Sequence, residues 1–330
     1  MRKRGKIVFL LRGREGLGHV SPGAAMAEAL TSKGFEVHLL TYGNGIRFLK
    51  AKKFKNIYDI REPKRTNGRV PWKDMFEITK DVLPIIKKIK PSIVIVDGEC
   101  DALFLIKKLG IKLVFLTTTP YIELNFGPWK EYEDYGRAGL EQPDKILVHG
   151  IVKPDSKFTN YIYIGPLVRA NKYKIKKGNT IPIVIGSTTS AKLKTFAKQS
   201  AILLKELGYK TVFIDNTLKG KRFVKEPLEY FSSAPLIITH GGLAVIEEGA
   251  VLGKPMIMMY DETNEEKKRN AIIAERLLLG KSINVAKPFN KKKVRRQILY
   301  ALELYKRIKQ KPNGINKAIN EVVKMVSGVR

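Results

Sequence analysis

Short apolar runs alternate with amphipathic stretches along most of the chain. That alternation is the signature of βαβ units around a parallel sheet. The predicted strands of the first half are Lys6–Leu11, Glu36–Tyr42, Asn56–Ile60, Ser92–Val96, Lys112–Thr117, Lys145–His149 and the run Tyr161-Ile-Tyr-Ile. Helices fill most of the intervals; Ser21 and Pro22 suit the N-cap and first position of the first helix, and Lys33-Gly34 its close. A basic, polar stretch at Lys172–Gly178 breaks the pattern. The alternation then resumes with strands Ile181–Ile185, Thr211–Asp215, Leu236–Thr239 and Pro255–Met259. Helices are expected near Ala191–Leu207, Leu243–Leu252, Glu265–Leu278, Lys291–Lys309 and Ile315–Val326. The pattern predicts two doubly wound, Rossmann-like α/β domains facing a cleft, at 1–165 and 166–330. In open α/β sheets, ligands bind beyond the carboxyl ends of the strands, so the residues that follow strands are the ones to weigh.

Two loops stand out. The first, after the first strand, reads Gly13-Arg-Glu-Gly16-Leu-Gly18-His19. It lacks the Lys-Ser/Thr of a P-loop, and the second strand does not end in the acid of a dinucleotide fingerprint. What remains is a glycine loop presenting a histidine, which reads either as a general base or as a helix-capping residue without chemistry. The second is the strand ending Thr239-His240-Gly241-Gly242, which opens a helix containing Glu247 and Glu248. Glycines at a helix N-terminus, with free amides and a positive dipole end, make a phosphate site. Glu248 could then accept from ribose hydroxyls; a solvated helix face is the alternative for both acids. Asp97-Gly-Glu99-Cys-Asp101 follows another strand. It could hold a divalent cation, assist His19, or simply supply helix-cap acids. His38 and His149 read as structural, and the aromatic stretch Tyr121–Tyr135 as sugar-stacking, lipid-contacting or ordinary packing.

The ordered set of motifs resembles the two-domain GT-B glycosyltransferases, family 28 above all. Gly16-Leu-Gly18-His19-Val-Ser-Pro22 is similar to that family's N-terminal loop, Ile164-Gly165-Pro166 to its interdomain element and Ile185-Gly186-Ser187 to the loop opening its second domain. His240-Gly-Gly with Glu248, Gly253 and Pro255 is similar to its nucleotide-sugar signature, and Asn270-Ala271 to its closing pair. The resemblance implies a metal-independent, inverting transfer from a nucleotide-diphosphate sugar, a UDP-sugar, to an acceptor hydroxyl on a lipid-linked or cell-envelope glycan. No cofactor or metal is implied. Gly186, Ser187, His240, Gly241, Gly242, Glu248, Lys267 and Asn270 would form the donor site. Gly16 and Gly18 would form the acceptor-side loop, and His19 would act on the acceptor, assisted by Asp97 and Glu99. The chain departs from the family at Val245, where Ser or Thr is frequent, and at Lys267, where Gln is usual; the donor sugar stays open. A nucleotide-sugar hydrolase of similar fold and a non-catalytic nucleotide-sugar- or nucleic-acid-binding relative are the alternatives.

Charge adds one expectation. Lys and Arg number 62 against 31 Asp and Glu, a net +31. Such a field favours anionic partners or, as the plain alternative, makes a solvated lysine-rich surface. No aromatic RNA motif or DNA-reading helix accompanies the basic segments, which argues against nucleic acid. Ala286–Pro312 holds ten Lys or Arg and one acid, and Ile85, Ile86 and Ile89 alternate with Lys87, Lys88 and Lys90. Either stretch could lie on an anionic membrane. No apolar run reaches a membrane span of ~18 residues, and the short N-terminal run Ile7–Leu11 reads as a strand. The expected location is the cytoplasm, with peripheral attachment to the inner face of the cell membrane. A single cysteine, Cys100, excludes an intrachain disulfide.

Overall fold

The computed structural model describes residues 4–13, 17–62, 77–98, 101–119, 133–155, 158–169, 173–186, 190–215 and 226–328. The chain forms two compact units. Unit 1 comprises Met1–Leu167 with Gly314–Arg330, and unit 2 comprises Val168–Asn313.

Unit 1 is built on strands β1 Lys6–Leu11, β2 Glu36–Thr41, β3 Ile57–Asp59, β4 Ile93–Asp97, β5 Lys112–Thr118, β6 Lys145–His149 and β7 Tyr161–Gly165. They pair in parallel in the order β3-β2-β1-β4-β5-β6-β7. β4 is buried along its whole length, as a central parallel strand covered on both faces must be. Its Val94 and Val96 pack with Ile78, Val82 and Ile86 of helix α3 (Glu77–Ile89) and with Leu103 and Ile106 of α4 (Asp101–Lys107). Helix α1 (Val20–Ser32) lies so close to β1 that a Cβ on Gly23 would stand 2.4 Å from Leu11. Helices α2 (Asn44–Ala51) and α5 (Glu133–Leu140) complete the described helices of this part.

The chain's last helix, α11 (Ile315–Ser327), belongs to unit 1 and not to the second domain that the sequence assigned as 166–330. Gly314 explains the return. Its amide donates to Pro166 O at 2.7 Å, and a Cβ there would stand 2.2 Å from Ile164 O, so only glycine allows the helix to start against β7. Lys317 Nζ then donates to Tyr163 O at 2.7 Å, and Ile315, Ala318, Ile319 and Val322 are buried.

Unit 2 has strands β8 Thr180–Ile185, β9 Lys210–Asp215, β10 Ile237–Thr239, β11 Met256–Tyr260 and β12 Gly280–Asn284, in the order β12-β11-β10-β8-β9. Its helices are α6 Ala191–Glu206, α7 Pro227–Ser233, α8 Leu243–Leu252, α9 Glu265–Arg276 and α10 Lys291–Leu304. β12 is absent from the sequence reading, because an edge strand reading Gly-Lys-Ser-Ile-Asn carries one apolar residue and no strand pattern. Helix α10 also ends earlier than expected, and its packed face is Val294, Ile298, Ala301 and Leu304, with Leu299 42% exposed.

Lys254, just before β11, is fully buried. Among the described residues its ammonium reaches only Tyr305, at 3.3 Å from Oη and 4.9 Å from the ring centroid. Burial pushes its pKa down to about 8. The unfolded chain binds the proton more tightly, so the penalty for the charged form holds below pH 8 and fades as pH rises toward 10.5. We expect Lys254→Met to raise Tm at pH 7, by removing a cost on the order of 3 kcal/mol, and to flatten the rise of Tm between pH 8 and 10. Thermal denaturation across that range checks both; a lower Tm for the variant at pH 7 would contradict the assignment.

Candidate active site

In unit 1, β1 and β4 are neighbours, and Leu11 pairs with Asp97 at their carboxyl ends. The chain leaves β1 toward β2 on one side and returns to β4 on the other, so this is the sheet's switch point, where α/β sheets bind ligands. Asp97 ends β4 as its last strand residue, one beyond the predicted end, and does not open a helix. His19, not Ser21, is the N-cap of α1, and its ring does not cap the helix. The ring turns to Asp97, with Nδ1 2.7 Å from Oδ1. The carboxylate is 1% exposed and the imidazole 40%. A carboxylate accepts, so Nδ1 donates and Nε2 is left as the basic nitrogen. Nε2 has no hydrogen-bond partner among the described residues.

Gly98, which sequence reasoning passed over, makes room for this pair. Its φ is +79°, and a Cβ there would stand 3.0 Å from His19 Nδ1 and from Arg12. Gly13 is equally constrained: a Cβ would stand 1.9 Å from Tyr42 O. Gly18 is not, since a Cβ there would meet nothing within 4 Å among the described residues. Gly16, Glu99, Cys100 and the aromatic residues Tyr121–Tyr132 lie outside the described residues. His38 is structural as expected, with Nε2 2.9 Å from Glu36 and Nδ1 3.2 Å from Tyr58.

In unit 2, β8 and β10 are neighbours, and the loops after them meet. His240 is 8% exposed and lies against two glycines; a Cβ on Gly186 would stand 2.1 Å from its Nε2, and one on Gly242 2.9 Å from its Cε1. Burial, then the neighbouring Lys267 charge, pushes the His240 pKa down to about 3. It is therefore a neutral ring that shapes the loop, not an acid at physiological pH. Gly241 has φ +75° and faces Lys267 O, 2.7 Å from where a Cβ would be. Asn270 Nδ2 donates to Gly241 O at 3.4 Å, tying α9 to the loop. Gly242 caps α8 with no side-chain bond, and the first turn holds no acid, so its amides and dipole end suit an anion.

Glu247 is wholly buried, not on a solvated face, while Glu248 is half-buried. Lys267 is 8% exposed, and burial lowers its pKa. Asp261, missed from the sequence, supplies a negative charge nearby. Hydrogen bonds from Thr263 hold its carboxyl below the ordinary range, with further help from Ser190 and Lys267. Its one signal was an acid directly after the apolar run Met256–Tyr260. Ser187 lies outside the described residues. Among the described residues, no group of three His, Cys, Asp or Glu could hold a metal ion, and no helix is long and apolar enough to cross a membrane.

Residues 168–325 match the family described as Glycosyltransferase family 28 C-terminal domain. An uncharacterized glycosyltransferase of Methanosarcina mazei is 23% identical over 332 residues, covering 86% of this chain and 87% of its own. The structure is similar to MurG of Acinetobacter baumannii (TM-score 0.65, 16% identity, 97% of this chain and 99% of that one). It is also similar to Arabidopsis thaliana UGT89C1 complexed with UDP-L-rhamnose (TM-score 0.68, 11% identity, 99% of this chain and 100% of that one). Residues 168–325 thus carry the glycosyltransferase family 28 C-terminal domain, and the two parallel α/β units with these structural likenesses give the chain the two-domain, Rossmann-like GT-B fold.

Proposed function

We propose that the chain transfers a sugar from a UDP-sugar to an acceptor hydroxyl, with inversion and without a metal or other cofactor. The observation that carries this reading is the 2.7 Å bond between His19 Nδ1 and buried Asp97. It fixes the tautomer that leaves Nε2 as proton acceptor on a ring that solvent can reach. The acceptor oxygen bonds to the anomeric carbon and gives its proton to Nε2. The bond from that carbon to the diphosphate breaks, and its electron pair leaves with UDP. The first-turn amides of α8 and the Lys267 ammonium supply positive charge for the leaving diphosphate, a preorganised electrostatic role. Gly186, Gly241 and Gly242 bring backbone to the phosphates. His240 and Asn270 hold that loop in place, and Glu248 accepts from the ribose hydroxyls.

The acceptor we propose is a lipid-linked or cell-envelope glycan, met on the cytoplasmic side of the membrane. Exposed Lys87, Lys88 and Lys90 at the end of α3, and Lys291–Lys293, Arg295 and Arg296 on α10, support contact with an anionic surface.

Titration with UDP tests the donor assignment. Glu248→Ala should weaken UDP binding by about 1.5–3 kcal/mol, the worth of a hydrogen bond to a charged group. Unchanged affinity in a folded variant would remove the ribose assignment.

A further inference from the structure

Residues 305–313 join the end of α10 to Gly314, and none of them lies in a helix or a strand. None is fully buried, and Lys306, Arg307, Lys309, Gln310 and Pro312 are exposed. A segment with so little buried apolar contact belongs to the part of a fold that opens locally. It nevertheless covers a costly group at three points. Tyr305 Oη accepts from the Lys254 ammonium at 3.3 Å. A Cβ on neighbouring Gly253 would stand 2.8 Å from Gln310 Cγ, and the Lys311 amide donates to Ala250 O at 2.9 Å. The segment thus lies across the end of α8 and the start of β11, with wholly buried Lys254 beneath it. An ammonium has three protons to donate, and only one of them finds an acceptor among the described residues. A buried charge so incompletely bonded is unfavourable, and water would satisfy it.

We infer that residues 305–313 form a pH-sensitive latch, held shut over the neutral amine of Lys254 and released when that amine takes up a proton. Lifting this segment hydrates the ammonium without unfolding the sheet. The charged groups on the surrounding elements do not set the response. Glu247 and Glu248 on α8, Glu303 on α10, and Lys306, Arg307, Lys309 and Lys311 on the segment leave Lys254 unshifted; burial alone lowers it from 10.5 to about 8. The open form binds the proton more tightly than the closed one. Opening is therefore favoured below pH 8, and the bias fades as pH rises toward 10.5. The response falls near neutral pH, where a solvated lysine does not titrate. His19, Asp97 and the glycine loop of the donor site take no part, so the latch stands or falls apart from the proposed reaction.

Hydrogen exchange of the full chain, followed by mass spectrometry from pH 7 to pH 9 and corrected for the intrinsic rate at each pH, tests this. The open fraction of 305–313 should fall roughly tenfold over that range, the change that linkage gives for a group titrating at about 8 when closed and 10.5 when open. Strand β11 should show no such change. Lys254→Met should make opening at pH 7 at least roughly tenfold rarer and independent of pH. Tyr305→Phe keeps the ring and removes the oxygen. It should open at least roughly fivefold more often at pH 7, where the buried charge loses its hydrogen bond, and by a smaller factor at pH 9. The parent profile and Tyr305→Phe decide the case if Lys254→Met does not fold. Exchange in 305–313 that is flat with pH overturns the inference. So does a pH dependence that β11 shares, since the lysine is then hydrated only when unit 2 unfolds. A pH dependence that Lys254→Met retains overturns it too, since another group then drives the opening.

Discussion

Replacing His19 with alanine is expected to lower kcat by roughly 10²–10⁴, the range for loss of a positioned general base. Affinity for UDP should change little, because the proposed donor groups lie in unit 2. Asp97→Asn should also cost roughly 10² or more in kcat, for a different reason. A carboxylate can only accept from Nδ1–H. An amide can present its N–H instead, which moves the imidazole proton to Nε2 and blocks the base. The two losses should not add in the double variant, since the residues act as one unit. Steady-state kinetics with UDP release as the signal, together with UDP titrations, separate the cases. Lost donor affinity with unchanged kcat would make His19 a binding residue.

Gly241→Ala should be the most damaging small substitution in unit 2. Its φ of +75° penalises any side chain, and the new Cβ would stand 2.7 Å from the Lys267 carbonyl. Left-handed backbone costs about 1–2 kcal/mol and overpacking against backbone about 1–3 kcal/mol. The loop and α9 must separate to relieve the contact, which breaks the Asn270 bond to Gly241 O. A fall in Tm of several degrees and at least tenfold weaker UDP binding are expected. Gly18→Ala, where a Cβ meets nothing within 4 Å among the described residues, should shift stability by less than about 0.5 kcal/mol. Equal tolerance at both positions would contradict this reading of the loop.

The alternation of apolar and amphipathic stretches made most of the parallel sheets legible, because buried parallel strands such as β1 and β4 read as unbroken apolar runs. Edge strand β12 did not, since an edge with a lysine, a serine and an asparagine carries no such run. Helix α11 was legible as a helix but not as part of unit 1. Its placement depends on Gly314 against the Ile164 carbonyl, a contact between residues 150 positions apart in the sequence. The site divided in the same way. His19 and Asp97 each stood out as a polar residue beyond a strand, yet their bond spans 78 positions and depends on Gly98, whose role is purely steric. His240 stood out in the signature, but its neutral, wedged state follows from burial between glycines that no spacing reveals. Asp261 carried too weak a signal to be chosen, since a lone acid after a strand is common.

The most direct test follows the sugar itself. The full chain is incubated with a set of UDP-hexoses and hydroxyl acceptors, including lipid-linked glycans, and products are read by proton NMR. UDP and a new glycoside are expected in equal amounts, with the anomeric configuration inverted relative to the donor, and both should form roughly 10²–10⁴ times more slowly with His19→Ala. Free sugar released with UDP at the same rate with or without acceptor would contradict it, as would a glycoside that retains the donor's configuration.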